Sequence, residues 1–355
     1  MDFTKYLSVY RPKINQTIEK TLQNKLNSVK NDFLNDYYTE LKKYFLAGGK
    51  RIRPLLTIAT YNAFQDKKED KIIHPSIGME FLHNASLIHD DIIDRDEIRR
   101  GKPSFHYRFI EYHKNHKFKK IDPVEYGNSI GIIGGDSAFF IGLEAYLNND
   151  FDADLNIDAV ELYKKAFLEI SDGVLIETNM VNKKDLDMDD YIQMVSLKTG
   201  ALIEKSIMVG GVYAEISEES KKLLKTYGIN IGILFQIIDD ILGTFGDEKL
   251  TGKPTDGDIK EGKKTCLLIQ ALNTLQENKK AQLEQIYDKE MINNNDVKIV
   301  KQLFKDAEVE SKSRNLADTY YQQAQESINK LSHKINENEK EFFDNLLKFV
   351  NERNF

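Results

Sequence analysis

Residues 79–94 read Met79-Glu80-Phe81-Leu82-His83-Asn84-Ala85-Ser86-Leu87-Ile88-His89-Asp90-Asp91-Ile92-Ile93-Asp94. Apolar side chains recur at helical spacing with no Gly or Pro between them, which predicts one helix running into a group of carboxylates at its C-terminal end. At about 100° per residue, Asp90 and Asp94 fall about 40° apart and one turn apart along the axis. Two carboxylates so placed repel each other and oppose the negative end of the helix dipole, so they weaken the fold unless a cation joins them. Alone, the pattern is also that of a solvated acidic face. Oxygen donors in a chain with one Cys and 7 His point to magnesium, which is commonly shared with substrate phosphates. His83, seven residues before Asp90, lies about 20° away on the helix wheel and shares that face two turns below.

The same periodicity extends along the chain, near 14–45, 54–64, 76–95, 124–147, 158–182, 188–213, 217–245, 264–288, 296–331 and 336–351. No stretch alternates convincingly as a strand. In 355 residues there are 20 Gly and 6 Pro, against about 25 and about 18 for average usage, which disfavours an all-β fold. No Pro/Gly/Ser-rich linker divides the chain, so residues 1–355 are expected to form a single all-α domain. The few breakers, Gly48-Gly49, Gly101-Lys102-Pro103, Lys198-Thr199-Gly200 and the loop from Gly246 to Gly262, sit beside clusters of charge. Residues 276–355, rich in Lys, Glu, Asn and Gln, read as an outer helical layer without chemistry.

A formal net charge of −7 argues against a nucleic-acid surface, so any anion must be bound locally. One cysteine, Cys266, excludes an internal disulfide and fits a reducing compartment. The N-terminus lacks the charge and apolar order of a signal peptide, and a cytoplasmic location is expected. The most apolar stretch, Ser129 to Leu147, contains Asp136, Glu144 and several glycines and is expected to be a buried helix, not a membrane span.

A second acidic pair stands in Phe235-Gln236-Ile237-Ile238-Asp239-Asp240-Ile241-Leu242-Gly243, surrounded by apolar residues at helical spacing. Two aspartates in such a run are poorly explained as surface, and Gln236, one turn earlier, can share their face. Two acidic clusters on apolar helices suggest a cation cluster held between facing helices. Basic motifs accompany them. Gly48-Gly49-Lys50-Arg51-Ile52-Arg53-Pro54 packs three cations into four residues, and Arg99-Arg100-Gly101-Lys102 follows Asp94 closely. Cations next to metal-binding carboxylates call for a ligand more anionic than the metals alone neutralise, a diphosphate.

GGKRIRP, DDIID followed by RRGKP, KTG, FQIIDD and GDEKLTGKPTDGDIKEGKKT occur in that order over residues 48–265. With these five motifs the sequence resembles the trans-isoprenyl diphosphate synthases, the farnesyl and geranylgeranyl diphosphate synthase family, and looks closest to its archaeal short-chain members. The resemblance implies long antiparallel helices around a deep central cavity, usually in a homodimer, and head-to-tail condensation of isopentenyl diphosphate with an allylic diphosphate. It makes Asp90, Asp94 and Asp239 ligands of magnesium, three ions per active site. Arg99, Lys198, Lys253 and Lys263 become allylic-diphosphate contacts. Lys50, Arg53, Arg100 and His83 form the isopentenyl-diphosphate site, and Thr199 and Gln236, beside Lys198, steady the developing carbocation. A terpene cyclase, which shares the first aspartate motif, lacks the GGKRxRP site, and non-catalytic subunits of heteromeric synthases usually have eroded aspartate motifs.

Three positions depart from the family's pattern. Gly243 stands where most relatives carry a third aspartate. In Asp172-Gly173-Val174-Leu175-Ile176-Glu177, Val174 replaces a common glutamine and Glu177 a common aspartate. Relatives stopping at fifteen or twenty carbons usually place an aromatic residue four or five positions before the first motif, where this chain has Ser86 and Ala85. A floor formed instead by Leu82, Phe81 or Met79 would deepen the cavity by roughly 5 to 9 Å at 1.5 Å per residue. The expected product is therefore C20 or somewhat longer.

Overall fold

The computed structural model describes residues 3–65, 70–246 and 255–353, and helices make up nearly all of the regular structure there. Contacts divide the chain into two units, Met1–Lys164 with Ser206–Ile216, and Lys165–Lys205 with Ser217–Phe355.

The first unit contains α1 (Phe3–Asn27), α2 (Asp32–Phe45), α3 (Ile52–Ala63), a 3₁₀ turn (Asp70–Ile72), α4 (Ile73–Ile93), α5 (Phe105–Asn115), α6 (Pro123–Leu147) and the start of α7 (Ala153–Met180). The predicted segment 14–45 is two helices, because Asn31 caps a new start by accepting a hydrogen bond from the Leu34 amide at 3.1 Å. Between α4 and α5 lies a two-stranded hairpin, β1 (Ile98–Arg99) and β2 (Lys102–Pro103), which the sequence pattern does not show. Its two linking residues, Arg100 at φ 54° and Gly101 at φ 69°, are both left-handed, as a tight hairpin turn requires. Helix α5 is likewise absent from the periodicity reading. Its sequence FHYRFIEYHKN is mostly polar and aromatic, and it is held by Phe105 and Phe109 against Tyr37 and Tyr44 of α2.

Helix α4 packs most extensively against α6, and the small residues of α6 are the reason. A Cβ on Gly135 would lie 2.1 Å from His89 Nε2, and one on Gly142 2.6 Å from Phe81 Cβ. With glycines on its packed face, α6 turns Ile132, Ile133, Phe140 and Leu147 outward, Phe140 at 72% exposure. The stretch expected to be a buried helix is therefore buried on one face only. By length and composition both α6 and α10 (Glu218–Phe245) are long and apolar enough to cross a membrane, but 67% of the apolar window of α10 is buried, against 44% for α6.

The second unit holds the rest of α7, α8 (Met188–Val195), a π-helical turn (Ser196–Gly200), the start of α9 (Ala201–Tyr213), α10, and α11 (Gly257–Lys260), α12 (Cys266–Thr274), α13 (Glu277–Tyr287), α14 (Asn294–Asp306), α15 (Val309–Leu331) and α16 (Glu337–Asn351). Helix α10 is its axis, packed along α15 and α16. Tyr227 of α10 donates a hydrogen bond to the Phe343 carbonyl at 2.9 Å, and Phe342, Phe343, Leu346 and Leu347 are buried. The segment predicted as 296–331 is broken at Glu308, whose φ of 54° starts α15 in a new direction.

Candidate active site

In the first unit, the accessible side of α4 is a stripe. His83, Ser86, Leu87 and Asp90 are partly exposed and Asp94 is exposed, whereas Leu82, Ala85, Ile88 and Asp91 are buried. The sequence expectation that His83, Asp90 and Asp94 share a face is met. Asp91 points the other way: its carboxylate accepts from Arg99 Nε at 2.6 Å and from the Tyr44 hydroxyl at 3.3 Å. Burial pushes the Asp91 carboxyl up to about 6 even though Arg99 pulls it down. The first motif thus divides into two carboxylates on the open stripe and one that holds an arginine.

The predicted cations converge around His83. Burial, and then the charges of Arg53, Arg100, Arg99 and Arg51, press its imidazole well below the ordinary range, so at neutral pH it is an uncharged hydrogen-bonding group. Arg100 Nη1 donates to Asn84 Oδ1 at 3.2 Å and to the Gly48 carbonyl at 3.3 Å, which ties the hairpin to the Gly48-Gly49 turn. Burial lowers Arg53 to about 10, with Glu80 acting against the shift, and the Arg53 Nε atom is buried without a hydrogen-bond partner among the described residues. Lys50 is exposed. Arg51, between them, is structural: left-handed at φ 54°, it donates to Glu80 Oε1 at 2.7 Å, Asn15 Oδ1 at 2.9 Å and the Phe45 carbonyl at 2.6 Å. Such a concentration of cations is costly to assemble without negative charge nearby, part of which Glu80 and Asp91 supply.

The floor residues separate similarly. Ser86 lies on the open stripe one turn from Asp90, while Ala85, Leu82, Phe81 and Met79 are fully enclosed. The Phe81 ring sits 4.6 Å from that of Phe45, packed among α2, α4 and α6.

In the second unit the KTG segment is the π-helical turn. Such turns are rare and are frequently found at functional sites. Glycines on two helices admit it: a Cβ on Gly173 would lie 2.4 Å from the Lys198 amide nitrogen, and one on Gly232 2.4 Å from the Gly200 Cα. Lys198 pairs with Glu177, so the Glu177 departure still supplies a carboxylate there. The Thr199 hydroxyl donates to Gln236 Oε1 at 3.0 Å, and Gln236 Nε2 donates to Asp240 Oδ1 at 2.9 Å.

The second aspartate pair also divides. The Asp239 side chain is 48% exposed and meets Arg353 Nη1 at 3.0 Å. Asp240 is buried and accepts from the Tyr191 hydroxyl at 2.7 Å and from Cys266 Sγ at 3.7 Å. Burial, together with the nearby charge of Asp258, pushes its carboxyl up to about 7. Gly243 is filled from outside its own helix: a Cβ there would lie 2.9 Å from Asp258 Oδ2. Lys263 is 3.6 Å from Asp258 and 2.8 Å from Glu261. Lys253 lies outside the described residues.

The donors suit magnesium. Asp90, Asp94 and Asp239 present hard carboxylate oxygens on accessible surfaces, and among the described residues no group of three His, Cys, Asp or Glu forms a closed metal cage. That is the pattern of an ion held by one or two carboxylates and completed by substrate phosphates. Sequence reasoning missed Asp91, Asn84, Tyr191 and Arg353, whose partners are brought in by tertiary structure. The only local hint was Asn84, beside His83.

The polyprenyl synthetase family model matches residues 35–306. The short chain isoprenyl diphosphate synthase of Methanocaldococcus jannaschii is 37% identical, over 74% of this chain and 74% of that protein. The geranylfarnesyl diphosphate synthase of Aeropyrum pernix is 33% identical, over 86% and 91% respectively. The crystal structure of geranylgeranyl pyrophosphate synthase from Corynebacterium glutamicum, complexed with isoprenyl diphosphate and magnesium, is similar with a TM-score of 0.89 at 25% identity, covering 99% of this chain and 100% of that one. The motifs, the all-helical fold and these likenesses agree: the chain belongs to the polyprenyl synthetase family and is an all-α trans-prenyltransferase.

Proposed function

We propose that the protein adds isopentenyl diphosphate head to tail, in successive condensations that each lengthen the chain by five carbons and release one pyrophosphate, to an allylic diphosphate of C5 to C15 until an isoprenyl diphosphate of C20 to C25 is reached. The observation that carries this reading is the cation cluster of Arg53, Arg99 and Arg100 around a neutral His83, on the unit that presents Asp90 and Asp94. Arg51 and Arg99 have carboxylate partners in Glu80 and Asp91, whereas Arg53 Nε is buried without a hydrogen-bond partner among the described residues, which suits an added anion.

Lys50, Arg53, Arg100 and His83 bind the diphosphate of the isopentenyl substrate, and Arg99, Lys198, Lys253 and Lys263 that of the allylic one. Asp90, Asp94 and Asp239 would hold magnesium, three ions per site, which when bound neutralises the departing pyrophosphate. The allylic C–O bond breaks with its electron pair leaving on pyrophosphate. The isopentenyl double bond then attacks the allylic carbon, and the proton lost from the adduct passes to pyrophosphate. The Thr199 hydroxyl and the Gln236 carbonyl turn oxygen dipoles toward the cation as it forms. Residues 1–355 are proposed as one catalytic domain, from which water must be excluded because it would capture that cation.

The outward apolar residues of α6 support a homodimer, since a second copy would cover Ile133, Phe140 and Leu147. A soluble enzyme of the cytoplasm is proposed with it, since the one cysteine, Cys266, suits a reducing compartment. The test is to incubate the protein with magnesium, isopentenyl diphosphate and each allylic primer from C5 to C15, then size the products. A C20 to C25 diphosphate is expected. No product from any primer overturns the enzyme reading, and a cyclic hydrocarbon favours a cyclase.

A further inference from the structure

We propose that Asp240, the second aspartate of the FQIIDD motif, acts as a positioning residue: it fixes the Gln236 amide so that its oxygen, not its nitrogen, faces Thr199 and the developing cation. This rests on the prenyltransferase reading above.

The argument is one of donors and acceptors. Both oxygens of Asp240 accept here, Oδ1 from Gln236 and Oδ2 from Tyr191 and Cys266, whereas a primary amide carries an acceptor at one end and two donors at the other. Gln236 lies one helical turn before Asp240, and its Nε2 approaches Asp240 Oδ1 at 2.9 Å. With the NH2 group committed there, Oε1 is turned to the Thr199 hydroxyl, 3.0 Å away. The reversed amide would set oxygen against carboxylate and leave Nε2, the positive end of the dipole, where a carbocation forms. Asp240 itself is held from its other side. Its Oδ2 accepts from Tyr191 of α8 at 2.7 Å and from Cys266 of α12 at 3.7 Å, and the residue is 4% exposed. The adjacent Asp239 instead meets Arg353 and, with its side chain 48% exposed, is open enough to receive a metal. Sequential aspartates thus serve different ends, one toward the metal and one toward the amide.

The test uses steady-state kinetics of the full chain with magnesium and both substrates. Asp240→Asn replaces one acceptor by an NH2 group and allows the Gln236 amide to turn over. We expect kcat to fall on the order of 10- to 100-fold, as for loss of a supporting hydrogen bond behind an active-site group, while the magnesium concentration for half-maximal rate and the KM of each diphosphate stay at wild-type values. In Asp240→Asn/Gln236→Glu the asparagine donates to one glutamate oxygen and the other faces Thr199, so kcat should recover toward wild type. If Asp240→Asn leaves kcat unchanged, or raises the magnesium requirement with the rate restored at high magnesium, the proposal is wrong. Failure of Gln236→Glu to rescue would also reject it, because a merely architectural loss is not repaired by a second substitution at the amide. Should Asp240→Asn not fold, Tyr191→Phe removes one of the bonds holding the carboxylate, and the proposal requires a smaller fall in kcat with no change in magnesium requirement. An inactive wild-type protein would instead overturn the prenyltransferase reading itself.

Discussion

The backbones of Gly232 and Gly200 approach so closely that a Cβ on Gly232 would lie 2.4 Å from the Gly200 Cα. The π-helical turn carrying Lys198 and Thr199 is therefore seated directly on α10. Gly232→Ala should force that turn away, destabilising the protein by about 1–3 kcal/mol as an overpacked contact and lowering turnover by displacing Thr199 from Gln236. Thermal melting and initial rates check this. A variant with wild-type stability and rate would show that the turn has room to spare.

The buried Arg51–Glu80 pair, with side chains 1% and 3% exposed, holds the segment from which Lys50 and Arg53 project. Removing one partner strands the other charge, so Glu80→Ala should cost about 3–5 kcal/mol in urea denaturation. Replacing both, as Arg51→Met with Glu80→Leu, should recover much of that loss.

His83 provides a pH signature. Its folded pKa is depressed well below the ordinary value, so below about pH 6.5 the unfolded chain binds a proton that the folded chain refuses. This contribution to stability is present above the unfolded pKa and is lost as pH falls below it. His83→Gln should therefore lose less stability than wild type between pH 7.5 and pH 5.5 by urea denaturation. Equal losses would mean that His83 titrates normally.

Product length should respond to Ser86 and Ala85 differently. Ser86 is on the open stripe one turn from Asp90, whereas Ala85 is fully enclosed. Ser86→Phe is expected to shorten the product by one or more isoprene units in a chromatographic assay. Ala85→Phe should instead overpack α4, costing about 1–3 kcal/mol.

Arg353 stands 3.0 Å from the Asp239 carboxylate and over the Phe235 ring, 5.0 Å from its centroid. If Asp239 holds magnesium as proposed, the ion would compete with this guanidinium. Arg353→Gln should lower the magnesium concentration needed for half-maximal activity, and a rise would show that Arg353 assists loading.

Local rules made much of this protein legible from its sequence. Periodicity near 3.6 residues located most helices, and the spacing of His83, Asp90 and Asp94 placed them on one face, because both depend on neighbours within a few turns of the same helix. Helix α5 escaped the same reading because its stripe is short, Phe105, Phe109 and Ile110, and its order comes from seating that stripe on the glycines of α6 and against the aromatic rings of α2. The division of labour within each aspartate pair was also beyond it. Asp90 and Asp91, like Asp239 and Asp240, are chemically identical neighbours. Which of them is buried depends on Tyr44 and Arg99 in one case and on Tyr191 and Cys266 in the other. So too for Gly243, whose missing side chain is answered by Asp258, and for Asp239, met by an arginine 114 residues away. What the sequence determined alone was the helices and the chemistry they carry. Tertiary structure decided which oxygen faces water, because desolvation and hydrogen bonding are set by whatever distant residue packs alongside.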